Sequence, residues 1–223
     1  MIDISSLTEI LAYVFYTGLA LIALWGAFCV ALAWLRAGQK QFGAEAAQEA
    51  FLGEVESALN NNDLAAAELA CQNDARALPQ LAALAIAHRA AGFERVRQLL
   101  IERFQRDVMA DLDYRLSWIN TVIKAAPMIG LLGTVVGMMG AFGKLSAGGD
   151  AQATNNLAAD IMLALTTTAC GLAIAIPLVL AVAAINVRIK RLEDLVAAGL
   201  TRFLEAFRRA LMRGAGAVEA GGE

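Results

Sequence analysis

Four hydroxyls interrupt two uncharged, largely apolar stretches of this 223-residue chain. Thr134 stands alone in AAPMIGLLGTVVGMMGAF (125–142), and Thr166, Thr167 and Thr168 stand in a row in the stretch 161–187. Successive residues on a helix point about 100° apart, so three threonines in a row cannot all face lipid or all face one neighbour. At least one must meet a neighbouring helix or a polar cavity. A threonine on a helix can also spend its proton on a carbonyl one turn earlier, and for Thr134 both readings stand. No Asp, Glu, His or Arg lies deep in either stretch, and Asp160 is the nearest acid. Intramembrane acids mark ion paths. If ions cross here, another chain must bring the carboxylate.

The glycines around Thr134 say what positions it. Gly130, Gly133, Gly137 and Ala141 recur at steps of three and four, so small residues line one helix face. In lipid, close backbone approach drives helix association, because the tails offer no hydrophobic contrast. The face predicts a tight helix–helix contact. Gly171, three residues beyond Thr168, permits another close approach. Pro127 opens the first stretch, and Pro177 is expected to bend the second, where packing neighbours can absorb the freed carbonyl.

The composition supports a membrane setting. The chain is 59% hydrophobic and 17% charged, against about 45–50% and about 25% in soluble domains. Three apolar runs hold the excess: 10–35, a second run centred on 125–142 and lengthened by 118–122, and 161–187. A spanning helix needs roughly 20 such residues. Lys124, the one charge inside the second span, can snorkel to the interface. The leading segment carries Asp3 and Glu9 and no basic residue, so the first run reads as a permanent span and not a cleaved signal. Arg36 and Lys40 follow the first span, Arg115 and Lys124 accompany the start of the second, and Arg188, Lys190 and Arg191 follow the third. Positive residues stay on the cytoplasmic side. The expected organisation is therefore a periplasmic N-terminus (1–9), transmembrane helix 1 (10–35), a cytoplasmic helical domain (36–117), transmembrane helix 2 (118–143), a periplasmic loop (144–157), transmembrane helix 3 (158–187) and a cytoplasmic amphipathic helix and tail (188–223).

The segments outside the runs also read as helical. Asn62 or Asp63 can cap a helix over NNNDLAAAELACQ, and Pro79 is expected to break it. Ile101, Phe104, Val108, Leu112, Leu116 and Ile119 form a helical stripe that runs without a breaker into the second span. Leu192, Val196, Gly199, Phe203 and Phe207 form one face of an extension of the third span. RGAGAVEAGGE reads as a loose tail. No β pattern of any length is present. Cys29, Cys71 and Cys170 lack metal-ligand spacing and read as small apolar filler. His88 is the only histidine, and no Walker or dinucleotide motif occurs. The sequence thus points away from an enzyme, a metal site, a cofactor and nucleic acid.

APMIGLLGTVVGMMGAF followed by DIMLALTTTACGLAIAIP resembles the MotA/TolQ/ExbB proton channel family, and its ExbB/TolQ branch above all. The likeness covers roughly 94–190 and is architectural before that. It implies an all-α integral membrane protein of the bacterial inner membrane, with three transmembrane helices and long cytoplasmic helical extensions. It also implies a ring of five copies around a pore lined by the second and third spans. Two copies of an ExbD/TolR-like single-span protein would stand in that pore, each bringing a membrane aspartate that carries the proton. The threonine of the family's GT pair falls on Thr134 and that of its T-A-x-G pattern on Thr168, and both would face the partner aspartate. Thr167 would add polarity, and the glycines would let the five copies pack. ExbB and TolQ usually carry a glutamate five residues before the second threonine, where this chain has Leu163. Asp160 either substitutes for it at the periplasmic mouth or caps the helix. Two functions follow: a channel subunit of a proton-driven motor, or a membrane scaffold ring that conducts nothing.

Overall fold

A computed structural model describes the backbone of residues 4–61, 63–72, 74–146 and 151–220. Seven α-helices follow in order: α1 (Ile4–Lys40), α2 (Glu45–Asn60), α3 (Leu64–Cys71), α4 (Ala77–Ala87), α5 (Phe93–Arg103), α6 (Ala110–Ser146) and α7 (Ala151–Ala220). No strand occurs among the described residues. Within α1, within α5–α6 and within α7 lie segments long and apolar enough to cross a membrane, so the fold class is that of an all-α membrane protein. The chain divides into two units, residues 1–32 with 115–184 and residues 33–114 with 185–223.

In the first unit the buried positions are mostly small. Gly26, Cys29, Ala126, Gly133, Ala141, Ala164, Gly171 and Ala175 lie inside, while Trp25, Phe28, Met128, Leu131, Met139, Met162 and Leu180 point outward. A Cβ on Gly26 would come within 2.9 Å of Leu178 and Val122 side chains, so that glycine seats them. Trp25 meets Trp118 edge-on at 6.3 Å. Large apolar side chains turned outward are what a lipid solvent or neighbouring spans require.

The second unit follows the water-soluble rule. Phe203, Phe207, Leu59, Leu78, Ile86, Leu100 and Leu192 are its fully buried large side chains. The face of Leu192, Val196, Gly199, Phe203 and Phe207 is buried throughout. It packs on α2 and α4: a Cβ at Gly199 would lie 2.7 Å from both Gln48 and Leu78. Buried Gln48 donates to the Leu195 carbonyl at 2.7 Å. Arg202 holds Glu56 through two bonds at 2.6 and 3.0 Å, and Arg213 reaches Asn60.

Several local expectations need correction. Asp63 caps α3 by accepting from the Ala66 amide at 2.9 Å, while Asn62 lies outside the described residues. Pro79 does not end that helix. It sits in the first turn of α4, where a missing amide costs nothing. The stripe from Ile101 is displaced. Ile101 is exposed, and Val96 and Leu100 are buried in its place. The cause is a π-helical segment, Phe104–Met109, between α5 and α6. Its wider turn lets residues at steps of four, Leu100, Phe104, Val108 and Leu112, stay on one side. Helix fills most of the segment read as an outer loop: α6 runs to Ser146 and α7 starts at Ala151, with 147–150 outside the described residues. The segment read as a loose tail is helical to Ala220, since its alanines favour helix and no proline stops it. Residues 221–223 lie outside the described residues, as do 1–3 of the N-terminal segment.

Candidate functional site

The contact between α6 and α7 in the first unit is made by absent side chains. A Cβ on Gly130 would stand 2.7 Å from the Thr167 carbonyl oxygen, and one on Gly133 would stand 2.6 Å from Thr167 Oγ1. On Gly137 it would meet the Ala164 Cβ at 2.7 Å, and on Gly171 the Ala126 carbonyl oxygen at 2.6 Å. Real Cβ atoms do not approach so closely, so only glycine permits this spacing. All four glycines serve a contact between two helices of one chain. Pro127 is packed beside Gly171, its Cα 3.2 Å from where a Cβ would be. Pro177 lies at an exposed position inside α7.

Close approach brings hydroxyls onto backbone oxygens. Thr167 is buried, 4% exposed. Its hydroxyl donates to Ala164 O at 2.7 Å within its own helix and reaches Gly130 O across the contact at 3.0 Å. Thr168, half-buried, donates to the same Gly130 oxygen at 2.9 Å and stands 3.5 Å from Thr134 Oγ1. Thr134 is buried and donates to Leu131 O at 2.6 Å. Thr166, exposed, bonds back to Met162 O within α7. The Gly130 carbonyl is thus a shared acceptor for two threonines of the facing helix. A hydroxyl has one proton and two lone pairs. With its proton committed to a carbonyl, each of these oxygens keeps the capacity to accept.

Thr134, Thr167 and Thr168 are therefore brought together, and Asp160 is not among them. It lies about two and a half turns inside α7, half-buried, so it does not cap the helix. Leu163 is largely exposed, and its carbonyl accepts from Tyr16 Oη of α1 at 3.4 Å. The sequence places a span over α1 but its packed face was not read from it. Leu19, Gly26, Cys29, Ala33 and Ala37 are buried at helical steps, and the recurrence of small residues there was the available signal. Among the described residues no group of His, Cys, Asp and Glu could hold a metal ion.

The model of the MotA/TolQ/ExbB proton channel family matches residues 73–198. The Tol-Pal system protein TolQ of Haemophilus influenzae is 43% identical over 84 residues, 37% of this chain and 36% of that protein. An ExbB homolog of Methanothermobacter thermautotrophicus is 41% identical over 68 residues, 30% of this chain and 23% of that protein. The matched stretches thus span about a third and a quarter of those relatives.

Proposed function

The chain belongs to the MotA/TolQ/ExbB proton channel family, and from that premise we propose that it is a channel subunit of a proton-motive-force-driven inner-membrane motor. It energises an envelope process through an ExbD/TolR-like single-span partner. The observation that carries the reading is the Thr134–Thr168 pair beside the Gly130 carbonyl, a polar spot in an otherwise apolar helix contact. The family is one of proton channels and not of enzymes.

The chemistry follows from the hydroxyls. Thr168 is the more accessible of the pair and is the one a partner aspartate meets. When that acid is protonated, it donates to the Thr168 oxygen, whose own proton stays on Gly130 O. When it is ionised, the Thr168 hydroxyl turns from Gly130 O to the carboxylate. A charge-assisted bond is roughly twice as strong as a neutral one and favours the swing. Thr167 Oγ1, 3.0 Å from the Gly130 carbonyl oxygen, can then turn its one proton to it from Ala164 O. Thr134 stands behind Thr168 and holds its oxygen ready to accept from it. Asp160 lies toward the periplasmic mouth in this orientation, with the N-terminus periplasmic and the C-terminus cytoplasmic, which the basic residues flanking the runs support.

A second reading has one observation in its favour. Leu163 occupies the position of the usual glutamate, and a ring without that acid fits a non-conducting scaffold. Native mass spectrometry of the complex, co-expressed with a single-span protein bearing a membrane aspartate, separates the two. Five copies with two of the partner are expected for the motor. A ring that takes up no partner overturns it.

A further inference from the structure

Arg188 differs from most arginines of the second unit. Arg76, Arg97, Arg103 and Arg202 each face a carboxylate, and Arg213 faces Asn60. The guanidinium of Arg188 lies over the Trp34 ring, 4.7 Å from its centroid, and no acceptor among the described residues takes its N–H groups. The nearest acids beyond it in sequence, Glu193 and Asp194, are exposed and make no ion pair with it among the described residues. Gly38 provides its berth: a Cβ there would stand 2.9 Å from Nη2. Stacking on an aromatic face fixes a guanidinium without using its edge. The N–H donors at its edge are not used by the stack.

The position of this group in the chain specifies what meets it. The first apolar run ends at Leu35 and the third at Val187. The Arg188–Trp34 contact therefore sets the ends of two spans level. A half-exposed tryptophan at such an end belongs to the headgroup layer. Arg36, Lys190 and Arg191 follow within about one turn and are exposed, which adds positive charge at that level. We infer that the Trp34–Gly38–Arg188 notch binds the phosphate of an anionic phospholipid, the guanidinium edge donating to the phosphate oxygens while Trp34 lies against the upper chain. Arginine forks match phosphate oxygens in pairs. The inference rests on the membrane reading of the apolar runs and is independent of proton conduction.

The test uses the intact complex in mixed micelles with phosphatidylglycerol, with phosphatidylcholine, or with inorganic phosphate alone. Native mass spectrometry counts retained lipid, and thermal melting follows stabilisation. The wild type is expected to retain phosphatidylglycerol over phosphatidylcholine and to melt higher with it. Arg188→Gln is expected to weaken that retention about fivefold, the worth of one cation at an anionic surface. Arg208→Gln is the control, since Arg208 stacks on Phe93 at 5.6 Å but lies far beyond the apolar run, and it should retain lipid as the wild type does. Equal retention of both lipids by the wild type overturns the proposal, whatever the variants do. So does stabilisation by inorganic phosphate equal to that by phosphatidylglycerol, which assigns the notch to a free anion.

Discussion

In the unit of residues 1–32 and 115–184, a glycine or alanine sits at half of the buried positions described and many large side chains face out. In the unit of residues 33–114 and 185–223, Phe203 and Phe207 stack at 5.7 Å in the interior and the arginines face out. One helix, α7, supplies both patterns along its length. The solvent explains the reversal. Water rewards burial of large apolar area. Lipid does not, so helices there associate through close packing and polar contacts. Hence Gly130, Gly133, Gly137 and Gly171 in one unit do what Phe203, Phe207 and Leu192 do in the other.

This contrast can be broken by substitution. Phe203→Ala is expected to have the largest effect on stability, about 4 kcal/mol, because it removes a fully buried ring. Cys71 reports it. Burial above all, with Asp74, Glu54 and Glu68 nearby, pushes its thiol up to about 11, so it stays unreactive until the unit opens. Faster alkylation of Cys71 in Phe203→Ala is the expected result, and an unchanged rate would mean that the ring holds little. Gly171→Ala comes next, at about 2 kcal/mol, since one methyl meets the Ala126 carbonyl and backbone cannot yield as a side chain does. Wild-type melting of that variant would deny that glycine packing holds α6 to α7. Thr167→Val follows, at about 1 kcal/mol, for one lost hydroxyl bond in a spanning segment. Its expected signature is a lower melting temperature with the assembly intact.

The smallest effect belongs to acid. Burial pushes the Asp74 carboxyl up, but hydrogen bonds and charge from Arg76 outweigh it and hold it below its ordinary 3.8. A depressed folded value contributes stability that is fully present above 3.8 and lost as pH falls through the folded value. Asp74→Asn should therefore lower the melting temperature slightly at neutral pH, where the contribution is lost, and converge with the wild type below the folded value, which flattens the acid limb. An identical acid limb in the variant would remove Asp74 from the account.

The sequence made the spans and the Thr134–Gly133 neighbourhood legible, because apolar length and small-residue spacing are local signals. The face through Phe203 was legible for the same reason. The π-helical segment was not, since Phe104–Met109 has ordinary residue types and its register is set by what Val96, Leu100 and Val108 must bury. Nor could spacing tell which of three adjacent threonines turns inward. Thr167 is the buried one, because Gly133 opposite leaves room for its hydroxyl. Spacing alone leaves Asp160 as a helix cap or a mouth residue, and the start of α7 at Ala151 lies well upstream of it. Contacts such as Gln48 with Leu195 join segments far apart in the chain and leave no periodic trace.

The proton-path claim rests on Thr168, and proton flux through the assembly reconstituted with its single-span partner tests it most directly. Thr168→Val keeps the shape and removes the hydroxyl. The account predicts that flux falls about a hundredfold while the mass of the assembly stays that of the wild type, and that Thr168→Ser restores it. Full flux through the valine variant would contradict the account and leave Thr134 and Thr168 as packing residues.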